Sequence, residues 1–288
     1  MAKANGSLTG KTCVVTGATS GIGAAAARAM AALGATVVVA GRDPTRCQAM
    51  VDEVRQATGN AAVRPAVADL SSLAQVRRLA AELKDRYPRI HVLANNAGAY
   101  FARRQESADG FEMTWSLNVL APFLLTSLLL DRLADSAPAR VINTSSDAHE
   151  RAKLRPDDLD GRRKRAGFRA YGQSKLALNL LTYEFARRVD PKQTTINAYH
   201  PGFVASRFGW NNGPVYRGAI RFLSRAFGVS SEAGADTMVY LASAPEVAGT
   251  TGRYFCERKE VRSSPASYDR SLAQRLWDVC AQETGVTA

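Results

Sequence analysis

A short β-branched run, a glycine-rich turn, an alanine-rich helix and a second apolar run follow one another in KTCVVTGATSGIGAAAARAMAALGATVVVAGRD. Lys11 to Thr16 suits a buried strand, Ile22 to Leu33 a helix, and Thr36 to Ala40 a second strand. That order makes a βαβ unit, which commits the chain to a parallel sheet covered by helices. Gly17, Gly21 and Gly23 sit at the turn, where missing Cβ atoms let backbone approach a pyrophosphate and let the helix pack closely on the strand. The helix start adds unpaired N–H groups and the positive end of its dipole. The spacing is GxxxGxG rather than GxGxxG, so the flanking strand and helix carry the argument.

The alternation continues along the chain. Asp43-Pro44 reads as an N-cap followed by proline at the first helical position, with a helix to about Thr58 that Gly59 and Asn60 stop. A third strand, Ala61 to Val67, leads through Asp69-Leu70 to a helix capped by Ser71 or Ser72 and ending near Arg86. Ile90 to Ala94, Arg140 to Thr144, Thr194 to His200 and Arg253 to Cys256 complete the strands, and an apolar helix spans about Phe111 to Leu133. We expect one α/β domain over 1–288, a Rossmann-type, doubly wound, mostly seven-stranded parallel sheet flanked by helices. Ligands of such sheets lie outside the carboxyl ends of the strands, where strand order switches. The glycine turn, NNAG at 95–98, Ser145-Ser146 and Pro201-Gly202 all follow strands at that edge. The segment 201–229 mixes glycine, aromatic and apolar residues with little periodicity and suits a substrate cover. Phe203, Phe208, Trp210, Tyr216, Phe222 and Phe227 there could wall an apolar pocket or pack the cover on the core.

Tyr171 and Lys175 lie four apart in a helical pattern, RAYGQSKLALNLLTYEFARR, so both face one side. A nearby cation favours the phenolate over the phenol, whose ordinary pKa is about 10. The pair suits proton exchange with an alcohol or carbonyl oxygen, although an exposed i,i+4 contact has the same spacing.

Composition narrows the alternatives. An apolar fraction of 46% and a charged fraction of 22% are those of an ordinary globular protein. No apolar run approaches the roughly 20 residues of a membrane span, and MAKANGSLTG lacks a signal-peptide h-region, so a soluble, cytoplasmic protein is expected. Cys13, Cys47, Cys256 and Cys280 show no paired spacing and read as free thiols; with His91, His149 and His200 equally scattered, no metal site is expected. His149 stands close enough to Ser145 and Ser146 to line a pocket, but loop histidines commonly make local hydrogen bonds. The net charge of +12 draws partly on Arg162, Arg163, Lys164 and Arg165, and no recognition motif accompanies them, which favours a solvated loop over a specific nucleic-acid site.

TGATSGIG at 16–23, NNAG at 95–98, Asn118 in SLNVLAPF, the NTSS strand end, YGQSK at 171–175 and HPG at 200–202 together resemble the short-chain dehydrogenase/reductase superfamily, in that family's order. SSDAH, the long loop before Tyr171, SKLA, GRYF and RLWDVC resemble its retinol-dehydrogenase-like branch, and the likeness spans almost the whole chain. The resemblance implies a catalytic set of Asn118, Ser146, Tyr171 and Lys175, with Ser145 as the alternative hydroxyl if the register slips. Tyr171 would exchange the proton, Ser146 would hydrogen-bond the substrate oxygen, Lys175 would hold the nicotinamide ribose and lower the tyrosine pKa, and Asn118 would support a water relay. It implies cofactor contacts at Gly17, Thr19, Ser20, Gly21, Ile22 and Gly23, at Asp69 and Leu70 near the adenine, at Asn95, Ala97 and Gly98, and at Pro201, Gly202 and Val204 near the nicotinamide.

Cofactor choice turns on Ala40-Gly41-Arg42-Asp43. An acid at the strand tip binds both ribose hydroxyls, whereas arginine accommodates a 2′-phosphate. Asp43 is better explained as the helix cap, which leaves Arg42 for phosphate and favours NADP(H) over NAD(H). The leading expectation is an NADP(H)-dependent ketoreductase for a lipophilic carbonyl or alcohol, with room for a homo-oligomer. The alternatives are a natural-product tailoring reductase, an NAD-linked alcohol dehydrogenase and a non-catalytic NADP-sensing protein, since fold does not fix function.

Overall fold

A computed structural model describes residues 7–155, 167–202, 212 and 229–287. In chain order these form β1 Thr12–Thr16, α1 Gly21–Ala32, β2 Thr36–Gly41, α2 Pro44–Thr58, β3 Val63–Val67, α3 Leu73–Arg86 and β4 Val92–Asn95. A single turn, α4 Met113–Trp115, and a π-helical turn, Ser116–Leu120, lead into α5 Ala121–Ala134, then β5 Ala139–Thr144, α6 Phe168–Arg188 and β6 Thr194–His200. The chain closes with α7 Ser231–Ser243, β7 Tyr254–Cys256, β8 Lys259–Val261 and α8 Arg270–Thr284.

The sheet runs β3-β2-β1-β4-β5-β6-β7-β8, so strand order reverses between β1 and β4. The strands pair in parallel except β8, which runs antiparallel to β7. This eighth strand extends the expected seven. It is short, charged and exposed, so no hydrophobic periodicity announces it. Buried residues of α3, α5, α6 and α8 form the core on one face, and those of α1, α2 and α7 form it on the other.

Local chemistry sets several boundaries. Asp43 Oδ1 accepts from the Arg46 N–H at 3.1 Å and Pro44 opens α2, as the sequence predicts. For α3, neither candidate serine supplies the capping oxygen: the Leu73 N–H donates to Asp109 Oδ2 at 2.8 Å, 36 residues away. Met113–Ala134 makes 22 helical residues, close to the helix expected over about Phe111 to Leu133, and it is long and apolar enough to cross a membrane by length and composition, with a mean hydropathy of 1.6, which corrects the expectation that no apolar run approaches that length. It packs against α3 and α6 with 72% of its apolar window buried, which is the environment of a core helix.

Candidate active site

The glycine turn is built against the loop after β4. Gly17 has a φ of +66°, and a Cβ there would stand 2.9 Å from the Cα of Ala97. A Cβ on Gly23 would stand 2.5 Å from Gly17 O and 2.6 Å from Asn96 Nδ2. Only hydrogen fits at either place. Ser20 is the N-cap of α1 yet its side chain makes no cap bond, so the N–H groups of Gly21, Ile22 and Gly23 face outward from the helix start. A cradle lined by backbone donors at the β1/β4 switch fits a cofactor pyrophosphate.

Tyr171 and Lys175 project from α6 into the same region, both buried. Lys175 Nζ donates to Thr144 O at 2.8 Å and lies 5.6 Å from the Tyr171 ring centroid. Burial pushes Lys175 down to about 8. The Tyr171 phenol is held above its ordinary value, chiefly by burial, while a hydrogen bond with Ser146 opposes the rise. The sequence reading weighed only the cation and expected the reverse; desolvation outweighs it here. Ser146 is the serine turned toward Tyr171, whereas the Ser145 side chain faces Tyr254 inside the protein.

Asn118 sits in the π-helical turn, where the widened helix directs its amide onto Ala99. Its Oδ1 accepts from the Ala99 N–H at 3.0 Å, and its Nδ2 donates to Ala99 O and to Ser174 Oγ, each at 3.0 Å. A methyl at Gly98 would stand 3.2 Å from Asn118 Oδ1 and 3.4 Å from Lys175 Nζ, so the NNAG loop, the π-turn and α6 meet at Gly98.

The remaining expected contacts divide. Asn95 is turned inward, its Nδ2 donating to Asn143 Oδ1 at 2.9 Å and to Thr126 Oγ1 at 3.0 Å, so its side chain ties β4 to β5 and α5. Leu70 joins the core, and Asp69 Oδ1 accepts from both the N–H and the hydroxyl of Ser71. Arg42 is exposed just beyond β2, while a Cβ at Gly41 would meet Thr19 Cγ2 at 2.8 Å. Pro201 and Gly202 follow β6, with Gly202 at a φ of +79°. Val204, the basic residues 162–165 and all six aromatics of the expected cover lie outside the described residues.

Several contributors escaped the sequence reading. Asn96, rather than Asn95, faces the glycine turn, donating to Thr16 O at 2.8 Å. Strand alternation held the signal, since adjacent residues at a strand end point to opposite faces. Arg46 reaches Thr19 O at 3.3 Å, one helical turn from Arg42. Asn212 clasps the loop beyond NNAG, accepting from the Ala102 N–H at 2.6 Å and donating to Tyr100 O at 2.9 Å. Tyr100 meets the Tyr171 ring edge-on at 6.3 Å, and Phe168, 67% exposed, lies 6.2 Å from it.

Comparison with known proteins agrees with this geometry. Residues 11–214 match the short chain dehydrogenase family model. A Streptomyces sp. (strain C5) protein provisionally named daunorubicin C-13 ketoreductase is 46% identical over 287 residues, covering 99% of this chain and 96% of that one. Human retinol dehydrogenase 13 is 38% identical over 287 residues, covering 97% of this chain and 86% of the relative. The solved Pseudomonas aeruginosa RhlG/NADP active-site complex superposes with a TM-score of 0.70 at 31% identity, over 86% of this chain and 95% of that one. The chain belongs to the short chain dehydrogenase family, in its retinol-dehydrogenase-like branch, and is an oxidoreductase that interconverts alcohol and carbonyl groups with a nicotinamide cofactor.

Proposed function

We propose that residues 1–288 form a single-domain, cytoplasmic, NADP(H)-dependent reductase of a bulky apolar ketone or aldehyde. The observation that carries this reading is the meeting of the Tyr171 phenol, the Ser146 hydroxyl and Lys175 Nζ beside a glycine cradle at the strand-order switch. A nicotinamide held in this cradle would supply the hydride that reduces the carbonyl carbon. Tyr171 gives its proton to the carbonyl oxygen, and Ser146 holds that oxygen against the phenol. Burial alone makes Tyr171 a poor acid. Lys175, with Nζ 5.6 Å from the Tyr171 ring centroid, is the cation placed to favour the phenolate against that burial, and it would hold the nicotinamide ribose hydroxyls. Asn118 fixes Ala99 and Ser174, which keeps the NNAG loop against α6. Gly17, Thr19, Ser20, Gly21, Ile22 and Gly23 would hold the pyrophosphate, with Ala97 and Gly98 across the cradle. Asp69 and the backbones of Leu70 and Asn95 would border the adenosine, and Pro201 and Gly202 the nicotinamide.

NADP(H) is favoured because Asp43 is spent on the cap of α2, leaving Arg42 at the β2 end with Arg46 one turn away. The NADP-bound RhlG relative supports the same choice. The apolar rings of Tyr100 and Phe168 flanking Tyr171 suit a large hydrophobic substrate, as do the names of the ketoreductase and retinol dehydrogenase relatives. The cytoplasmic placement is supported by the burial of Met113–Ala134.

A panel of carbonyls and alcohols, followed by nicotinamide absorbance with NADPH and NADH, tests the reading. Tyr171→Phe should keep cofactor affinity and lose most turnover, because it removes the transferable proton and keeps the ring. Near-normal turnover by that variant would overturn the assigned chemistry.

A further inference from the structure

The serine that meets Tyr171 is held from behind by a histidine with no part in the chemistry above. His149 is buried, and its Nε2 accepts from the Ser264 N–H at 3.0 Å. A backbone N–H can only donate, so Nε2 carries no proton and Nδ1 does. The Nδ1–H therefore donates to Ser146 O, 2.5 Å away. The ring is neutral, and both nitrogens are spent. Burial also disfavours the imidazolium.

Its far anchor is itself hydrogen-bonded. Ser263 Oγ bonds Tyr183 Oη and Ser267 Oγ, each at 2.6 Å, and Ser267 Oγ donates to Ser264 O at 2.6 Å. Tyr183 stands three turns along α6 from Tyr171, and its ring stacks on Tyr268 at 5.3 Å. The Tyr254 ring packs on the imidazole at 5.0 Å. One hydrogen-bonded frame thus runs from α6, through 263–268, to the backbone of Ser146. That frame lies partly beyond residue 214, where the match to the family model ends.

We propose that His149 is a positioning residue that holds the Ser146 backbone so that the hydroxyl stays on the Tyr171 phenol, and that the segment 263–268 is its fixed support. The inference rests on the reductase reading, in which Ser146 and Tyr171 act on the substrate oxygen. The two bonds can be separated. Asn at 149 places an amide nitrogen where Nδ1 stands and keeps the donor to Ser146 O. Gln places its amide oxygen where Nε2 stands and keeps the acceptor for Ser264 alone.

All-trans-retinal and daunorubicin serve as carbonyl probes with NADPH, kcat being read on whichever the wild type reduces faster. Amide hydrogen exchange over 145–149, Tm and NADPH Kd are measured alongside. We expect His149→Gln to lose roughly tenfold in kcat, the size of one well-placed hydrogen bond, and to exchange faster over 145–149 with unchanged Kd. His149→Asn should hold kcat within about threefold and keep its protection, although both variants lose Tm. Equal kcat and equal exchange in the two variants would make the histidine merely structural and overturn the inference. Tyr171→Phe, run in parallel, separates the two failures: wild-type turnover in that variant sinks the reductase reading. A dead Tyr171→Phe beside a fully active His149→Gln sinks only the role of His149.

Discussion

Gly23→Ala tests the cradle most directly, because two effects of known size act in opposite directions. Gly23 lies in α1 and is not among the glycines with positive φ, so alanine should gain up to about 1 kcal/mol of helix propensity if space allowed. Space does not allow it. The new Cβ would stand 2.5 Å from Gly17 O and 2.9 Å from Gly17 C, both backbone, so the turn and helix must separate by at least about 0.5 Å to reach even a tight contact. Overpacking of this kind costs about 1–3 kcal/mol. The net loss should be on the order of 1–2 kcal/mol, a fall in Tm of roughly 2–4 °C for a chain of this size. The same displacement misaligns the N–H groups at the start of α1, so NADPH should bind at least about tenfold more weakly, the equivalent of one phosphate hydrogen bond. Thermal unfolding and fluorescence titration of NADPH measure the two effects. Gly249→Ala is the control, since no atom lies within 4 Å of its added Cβ. Unchanged Tm in Gly23→Ala would refute the packing argument. A lower Tm with unchanged NADPH affinity would refute the assignment of this turn to the cofactor.

Arg42→Ala should weaken NADPH binding by roughly 1.5–3 kcal/mol, the range for hydrogen bonds to charged groups, and NADH binding much less, when both are titrated at one ionic strength. Equal losses would make Arg42 a structural residue of the turn. Lys175 is held at about 8 against an ordinary 10.5, so between those values the unfolded chain binds more protons and its contribution to stability rises with pH. Urea unfolding of wild type and Lys175→Met at about pH 7.5 and 10 should show the difference shifting toward wild type by on the order of 2–3 kcal/mol. Buried tyrosines and cysteines with raised pKa values act the other way in both proteins and cancel; a difference independent of pH would refute the burial of that ammonium. Trp277 packs on Phe123 at 5.0 Å and Phe185 at 4.6 Å under the Arg188 guanidinium at 4.0 Å. Trp277→Ala should cost about 3–5 kcal/mol and lower Tm by roughly 5–8 °C. Per folded molecule its turnover should stay near wild type, and a loss of kcat at constant folded fraction would show that α8 reaches the site.

What the sequence determined by itself is whatever acts over a few residues. The β-branched runs, the glycine turn, the Asp43-Pro44 cap and the i,i+4 spacing of Tyr171 and Lys175 all appear where local chemistry puts them, and alternation of strand and helix was enough for the doubly wound sheet. Tertiary structure decided whatever depends on a partner from far along the chain. Ser145 and Ser146 are chemically identical neighbours, and only the packing of α6 and β7 turns one toward Tyr171 and the other toward Tyr254. Asn95 and Asn96 divide in the same way between the interior and the glycine turn. Asp109 caps α3, and Ser264 completes the hydrogen bonding of His149, across 36 and 115 residues. The sign of the Tyr171 shift belongs with these, because a cation four residues away is visible in the sequence whereas desolvation by every element packed around the phenol is not.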